Sequence, residues 1–87
     1  MPEVSRFYGI IIYMYAKDHS PPHFHAKYAE HWAVIEIKTG DVMEGGLPRR
    51  ALRLVQDWAE LHKEELTENW NNGQSESPNF IKIEPLN

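Results

Sequence analysis

The chain has 87 residues, of which 41% are hydrophobic and 25% are charged, and its formal net charge is −4 at pH 7. This length predicts a single domain over residues 1–87. The chain contains no cysteine, which excludes disulfides, thiolate metal sites and a cysteine nucleophile. The acidic balance argues against nucleic-acid binding by charge alone. Because neither a signal-peptide pattern nor a membrane-spanning run is present, we expect a cytoplasmic protein without membrane contact.

The first half of the chain predicts four β-strands. Phe7–Tyr15 is aromatic and β-branched with apolar residues on both alternating faces, which is typical of a central strand. His23–Tyr28 alternates between polar and apolar residues and predicts the second strand. Trp32–Ile37 is the predicted third strand. The turn residues KTGD then lead into a short fourth strand over Val42–Glu44.

The second half predicts one long amphipathic helix over Leu47–Trp70. Pro48 lies where a first helical turn tolerates proline, and Asn71-Asn72-Gly73 provides a stop. The predicted apolar half of the helical wheel contains Leu47, Ala51, Leu54, Val55, Trp58, Ala59, Leu61, Leu66 and Trp70. Phe80–Ile83 predicts a short C-terminal strand. The fold class is therefore α+β: an antiparallel β-meander of about four strands packed against one long amphipathic helix.

Histidines are concentrated in the segment DHSPPHFHAKY, residues 18–28. His23 and His25 form an H-x-H pair on one strand face, about 7 Å apart, which allows both imidazoles to bind one divalent metal ion. The candidates for the third ligand are Asp18, His19, His62 and Glu65. The alternative is that these histidines bond to backbone groups that the neighbouring prolines leave without partners. No cofactor is predicted and no metal ligand set is assigned; a divalent metal stays an alternative.

The alternation of the second strand also predicts which side chains face the helix. Burying Phe24 and Tyr28 removes far more apolar surface from water than burying two imidazoles, which would also lose their hydration. We therefore predict that His23 and His25 lie on the open side of the sheet, and that His62 is buried separately beneath the helix. The predicted accessible polar surface consists of His19, His23, His25 and Lys27.

Polar residues also interrupt the apolar face of the predicted helix. His62, Glu65 and Asn69 form a candidate buried polar cluster. A histidine beside a carboxylate, here or at Asp18 and His19, can act as an acid–base pair. The alternative for His62 is a buried side chain satisfied by Glu65 or by a backbone carbonyl. Since no nucleophile elbow or phosphate loop is present, no reaction and no catalytic residue are assigned.

Arg49, Arg50 and Arg53 cluster in the first turns of the helix, where the helix dipole disfavours cations. They are candidate contacts for nucleic acid or for an acidic partner. The alternative is a solvated face with an ion pair from Arg53 to Asp57. Several aromatic residues resemble a stacking platform for bases, although most must be core in a domain this small: Phe7, Tyr8, Tyr13, Tyr15, Phe24, Tyr28 and Trp32.

The segments SRFYGIIIYMY, DHSPPHFHAKY, GGLPRRALRLVQDWAELHKEELTENW and KIEPL resemble one small bacterial family, domain of unknown function 4160, over nearly the whole chain. Its hallmark is an N-terminal strand followed by PPHFHA. The resemblance implies no catalytic residue. It implies a gene next to another small gene, in toxin–antitoxin-like pairs.

From this context we expect a protein-interaction module whose partner is the neighbouring small protein. The alternatives are a metal- or histidine-dependent hydrolase or nuclease, and a nucleic-acid-binding regulator. Formation of a homo-oligomer is a further alternative.

Overall fold

The computed structural model describes residues 2–87. Five strands form one antiparallel sheet in chain order. The strands are β1 (Glu3–Phe7), β2 (Ile10–Tyr13), β3 (His23–Tyr28), β4 (His31–Glu36) and β5 (Val42–Gly46). Two helices follow, α1 (Arg49–Leu61) and α2 (Lys63–Gly73). The α+β class and the meander are confirmed, whereas the four strands and the one long helix are wrong in detail.

The predicted central strand Phe7–Tyr15 is wrong, because the chain reverses inside it. Tyr8 and Gly9 form a two-residue turn between β1 and β2, with φ angles of 50° and 79°, and Phe7 pairs with Ile10. Positive φ at both central residues matches the twist of a tight hairpin. The usual Asn-Gly or Asp-Gly signal is absent, so the apolar run reads as one strand.

The predicted helix over Leu47–Trp70 is interrupted at His62. This residue has φ −120° and ψ 27°, and its N–H lies within bonding distance of the carbonyls of both Trp58 and Ala59. α2 begins at the next residue. Leu61, which falls on the apolar half of a continuous helical wheel, is 71% exposed. A wheel assumes one unbroken axis and therefore misplaces residues at such a break.

The predicted C-terminal strand Phe80–Ile83 is wrong, because the segment has no regular secondary structure. It still packs on the body of the domain. The Ile83 N–H donates to the carbonyl of Val4 at 2.8 Å. The Asn69 amide bonds to the N–H and the carbonyl of Ile81. Three of the predicted strand bounds also move: β4 begins at His31 and ends at Glu36, and β5 continues to Gly46.

The helices cover one face of the sheet and enclose the core. Phe24 of β3 is fully buried, and its ring centroid lies 5.8 Å from that of Trp58 on α1. This confirms that Phe24 faces the helix layer. The Trp58 indole N–H donates to the Glu84 carbonyl at 2.8 Å, which ties the C-terminal segment to the core. Within residues 2–87, no helix has the length and apolar character to cross a membrane.

We call the other side of the sheet the open face; at one end of it, Trp70 of α2 packs against His23. Because side chains alternate along each strand, the register assigns the following residues to it. They are Arg6, Ile11, Tyr13, His23, His25, Lys27, Trp32, Val34, Glu36 and Glu44.

Candidate metal centre

The loop between β2 and β3, residues 14–22, is fixed to the end of α2. The Lys17 N–H donates to the Gly73 carbonyl at 3.0 Å, and the Lys17 ammonium donates to the carbonyls of Gln74 and Ser75. The Gln74 amide also reaches the Asp18 carbonyl at 3.4 Å. The Ser20–Pro21 peptide bond in this loop is cis. The contacts with the end of α2 bring Asp18 back to the start of β3.

Three side chains converge at this point: Asp18, His23 and His25, which we call the metal-centre triad. Oδ2 of Asp18 lies 2.9 Å from Nε2 of His23 and 3.3 Å from Nε2 of His25. The three ligand atoms all lie within 4.8 Å of one another. Ligands about 2.0–2.2 Å from a tetrahedral ion are themselves roughly 3.3–3.6 Å apart. Small shifts of the side chains would therefore place one cation among the three atoms.

The hydrogen bond on the far side of the His23 ring determines its tautomer. Nδ1 of His23 lies 2.7 Å from the Pro21 carbonyl oxygen, which can only accept, so Nδ1 carries a proton. In a neutral imidazole the other nitrogen, Nε2, is then a lone pair facing the Asp18 carboxylate. Two electron-rich atoms at this distance repel each other unless a proton or a cation lies between them. A backbone carbonyl that accepts from the second ring nitrogen is a regular feature of metal-binding histidines.

Aromatic rings enclose the triad on two sides. The His23 ring centroid is 5.1 Å from that of Trp70 on α2, and His23 is only 7% exposed. Tyr15 packs edge-on against His25 at 4.6 Å. The side chains of Asp18 and His25 keep 21% and 28% exposure. The cluster is thus buried at His23 and open to solvent along Asp18 and His25.

The Asp18 carboxylate is held in its charged form. Partial burial raises the pKa of Asp18, but the hydrogen bond from the His19 N–H and the contacts with His25 and His23 lower it more. The net result is a pKa below the ordinary value for aspartate. A carboxylate that stays ionised is the form that binds a cation.

The predicted accessible surface of histidines is wrong for His23, which is buried against Trp70. His25 is half-buried, and only His19 and Lys27 are exposed. His19 contributes its backbone N–H to Asp18 Oδ1 at 2.9 Å. Within residues 2–87 its imidazole has no hydrogen bond or ion pair, so His19 lies beside the triad without joining it.

The candidate cluster of His62, Glu65 and Asn69 divides into two separate contacts. Nδ1 of His62 contacts Oε1 of Glu65 at 2.5 Å, with side-chain exposures of 17% and 50%. The prediction of a buried His62 beneath the helix is wrong, because the residue sits at the helix break and is half-buried. Asn69 is 1% exposed and bonds instead to Ile81. No hydrogen bond within residues 2–87 joins His62 to the triad.

The arginine cluster lies elsewhere. Arg49, Arg50 and Arg53 are exposed on α1, and no ion pair within residues 2–87 involves them, including the expected one from Arg53 to Asp57. Arg50 lines an open cavity of about 530 Å³ together with Tyr8 and Tyr28. Tyr28 is the last residue of β3 and His23 the first, so this cavity and the triad lie at opposite ends of that strand.

The contacts of Trp70 with His23 and of Tyr15 with His25 were not predicted from the sequence. The H-x-H spacing identifies the histidines, and Asp18 is one of four candidate third ligands. The sequence pattern places Trp70 on the apolar half of the helix and Tyr15 among the aromatic residues that resemble a stacking platform. Their contacts with the histidine rings depend on how the loop of residues 14–22 docks on the end of α2, and no local sequence signal reports that docking.

The family model described as Domain of unknown function (DUF4160) matches residues 9–71. The match covers most of the chain, including all three residues of the triad, and the chain belongs to this family. No curated protein and no solved structure matches the chain significantly.

Proposed function

We propose that this domain binds a divalent transition-metal ion through Asp18, His23 and His25. The observation that carries the proposal is the convergence of two imidazole Nε2 atoms on one carboxylate oxygen, with the far nitrogen of His23 bonded to the Pro21 carbonyl. Two imidazoles and one carboxylate suit Zn²⁺, Fe²⁺ and similar ions, whereas Mg²⁺ and Ca²⁺ prefer all-oxygen ligand sets.

The number of ligands favours a reactive site over a purely structural one. Structural zinc sites are closed by four protein ligands, whereas catalytic sites use three and leave a position for water or substrate. In this domain the triad supplies three, and the exposed sides of Asp18 and His25 leave an open direction. The buried side is occupied by Trp70. A small ligand would therefore approach from the open face.

Hydrolysis is the reaction that such a site supports. An ion held by Asp18, His23 and His25 with an open position would supply a Lewis acid and an activated water for the hydrolysis of a carboxylic or phosphate ester. The chain's own contribution is to fix the three ligand side chains in place and to keep the Asp18 carboxylate in its ionised form.

The direct test is metal binding by protein purified without a histidine tag. We expect a one-to-one complex with Zn²⁺ or Fe²⁺ by elemental analysis and by calorimetry of chelator-treated protein. His25→Ala should weaken binding by about 10- to 100-fold or more. His19→Ala is the matched control, because it removes a neighbouring exposed imidazole outside the triad. If chelator-treated protein takes up none of Zn²⁺, Fe²⁺, Mn²⁺ or Ni²⁺ at micromolar concentration, the proposal is wrong.

A second candidate function is a protein-interaction module in a two-gene, toxin–antitoxin-like system, which is the role that the family context implies. The structural feature that favours it is β5, an edge strand exposed along its whole length, with Val42 and Met43 37% and 42% exposed. An edge strand can pair with a strand of another chain. Co-expression with the neighbouring gene product and size-exclusion chromatography test this role, and two separate monomer peaks would count against it.

A further inference from the structure

The metal-centre triad opens onto a groove in the open face. This groove has a volume of about 240 Å³, and its side-chain lining includes Tyr13, Tyr15, His25, Lys27 and Trp32. His25 belongs both to the triad and to the wall of the groove. A ligand lying in the groove would therefore be in reach of an ion held by the triad.

Trp32 gives the groove a flat aromatic surface. It is 51% exposed, whereas Trp58 and Trp70 are 0% and 7% exposed. Its indole lies against the backbone of β5: a Cβ at Gly45 would be 2.9 Å from Cε3 of the ring and 2.4 Å from the Trp32 carbonyl oxygen. Gly45 also has φ +72°. The glycine thus lets the ring rest on the backbone while half of it faces solvent, and an exposed ring of this kind stacks with unpaired bases.

The charged residues of the open face indicate where the phosphates of a bound ligand would lie. Lys27 is exposed, is the cross-strand neighbour of Trp32, and has no ion pair or hydrogen bond within residues 2–87. It lies two residues from His25, about 7 Å along the strand. Glu36 and Glu44 lie on the same face along β4 and β5 and would repel phosphates there. Phosphates are therefore favoured along β3, with a base over Trp32.

We propose that the open face binds single-stranded nucleic acid, with one base stacked on Trp32, one phosphate at Lys27 and the next phosphate beside the metal-centre triad. Only the last contact rests on the proposed metal function; stacking on Trp32 does not. A duplex would bind poorly because its bases are already stacked with one another. This surface is distinct from the arginine cluster, which lies on the helix layer.

The test is fluorescence anisotropy of a fluorescein-labelled ten-nucleotide oligo-dT. Trp32→Ala should weaken binding about tenfold or more, in line with stacking energies measured by alanine substitution. Trp32→Phe should recover most of the loss, because it restores a ring. Lys27→Ala should lower the slope of log affinity against log salt by about 0.7, the value for one phosphate of a single strand. Tyr8→Ala and Lys38→Ala are matched controls, since each removes an exposed residue of the same type outside the groove.

Each outcome separates this proposal from the metal function. Oligo-dT affinity that does not change in Trp32→Ala and Lys27→Ala overturns the proposal, even if metal binding is found. The same holds if the duplex binds as tightly, if the unmodified protein does not bind, or if only alanine at Arg49, Arg50 and Arg53 removes binding. If binding through Trp32 persists in EDTA while calorimetry detects no metal uptake, the metal function fails and this proposal stands. Because Trp32 is half exposed, we expect its variants to fold, and circular dichroism checks this.

Discussion

Two histidines in this domain pack against tryptophans and contact carboxylates, yet their surroundings differ. His23 packs on Trp70 at 5.1 Å and meets Asp18, while His62 packs on Trp58 at 5.6 Å and meets Glu65. At the first position a second imidazole points to the same carboxylate oxygen, and a backbone carbonyl holds the far nitrogen.

At the second position Glu65 is half exposed, and His62 occupies the break between two helices. A histidine beside a carboxylate is therefore a weak indication of a site. The stronger indication is the convergence of several ligand atoms whose orientations are fixed by further bonds.

The largest expected effect comes from removing the Asp18 carboxylate, whereas removing the Glu65 carboxylate should have no effect on metal binding. Asp18→Asn should lower Zn²⁺ affinity by roughly 100-fold or more, because it removes both a ligand and the charge that offsets the cation. Glu65→Gln is the matched control and should leave the affinity unchanged. Calorimetry of the two variants at one pH gives the answer. Equal losses in both variants would show that the difference between the two histidine positions is not functional.

Metal-linked stability offers a second contrast. An ion at 100 times its dissociation constant stabilises the folded state by about 2.7 kcal/mol if it does not bind the unfolded chain. We expect Zn²⁺ to raise the melting temperature of the unmodified protein and of His62→Ala, but not of His23→Ala. Differential scanning calorimetry with and without EDTA measures this. A Zn²⁺-dependent rise that survives in His23→Ala would place the ion elsewhere.

Asn69, which the sequence groups with His62 and Glu65, should instead behave as a structural residue. It is 1% exposed, and its amide satisfies both backbone groups of Ile81. Asn69→Ala leaves these groups without partners and should cost about 2 kcal/mol of unfolding free energy. Asn71→Ala, an exposed position on the same helix, should cost less than about 0.5 kcal/mol. Urea denaturation measures the loss of unfolding free energy in each variant. Equal losses would show that Asn69 does not anchor the C-terminal segment.

Much of the layer architecture could be predicted from periodicity. Alternation placed Phe24 against the helix, and the apolar stripe of Val55 and Trp58 identified the covering helix. The errors occur where a local pattern is compatible with two backbone paths. An apolar run containing Tyr8-Gly9 is compatible with one strand or with a hairpin, since only the φ angles distinguish them. Likewise, no proline or glycine near His62 signals the helix break in the sequence.

The candidate site was predictable only in part. Its histidines follow from the H-x-H spacing, but the sequence leaves Asp18 as one of four candidate third ligands, because Asp18 lies five residues before His23 across a loop. That loop is placed by Lys17, which bonds to carbonyls at residues 73–75, far away in sequence. Such long-range contacts also bury His23 beneath Trp70, which reverses the predicted exposure of its ring. Alternation assigns a strand face but does not show what covers it.

The smallest expected effect concerns the His62–Glu65 contact itself. Glu65 is half exposed, so water and salt screen its attraction to His62, and exposed ion pairs contribute little to stability. A double-mutant cycle of His62→Ala and Glu65→Ala should therefore give a coupling energy below about 1 kcal/mol. Raising the salt concentration should reduce this coupling further. Thermal or urea unfolding of the four proteins in low and high salt measures both quantities.

A coupling energy above about 2 kcal/mol, unchanged by salt, would mean that the pair is shielded from solvent and tightly organised. The contrast between the two histidine positions would then no longer hold, and the helix break would become a second candidate site.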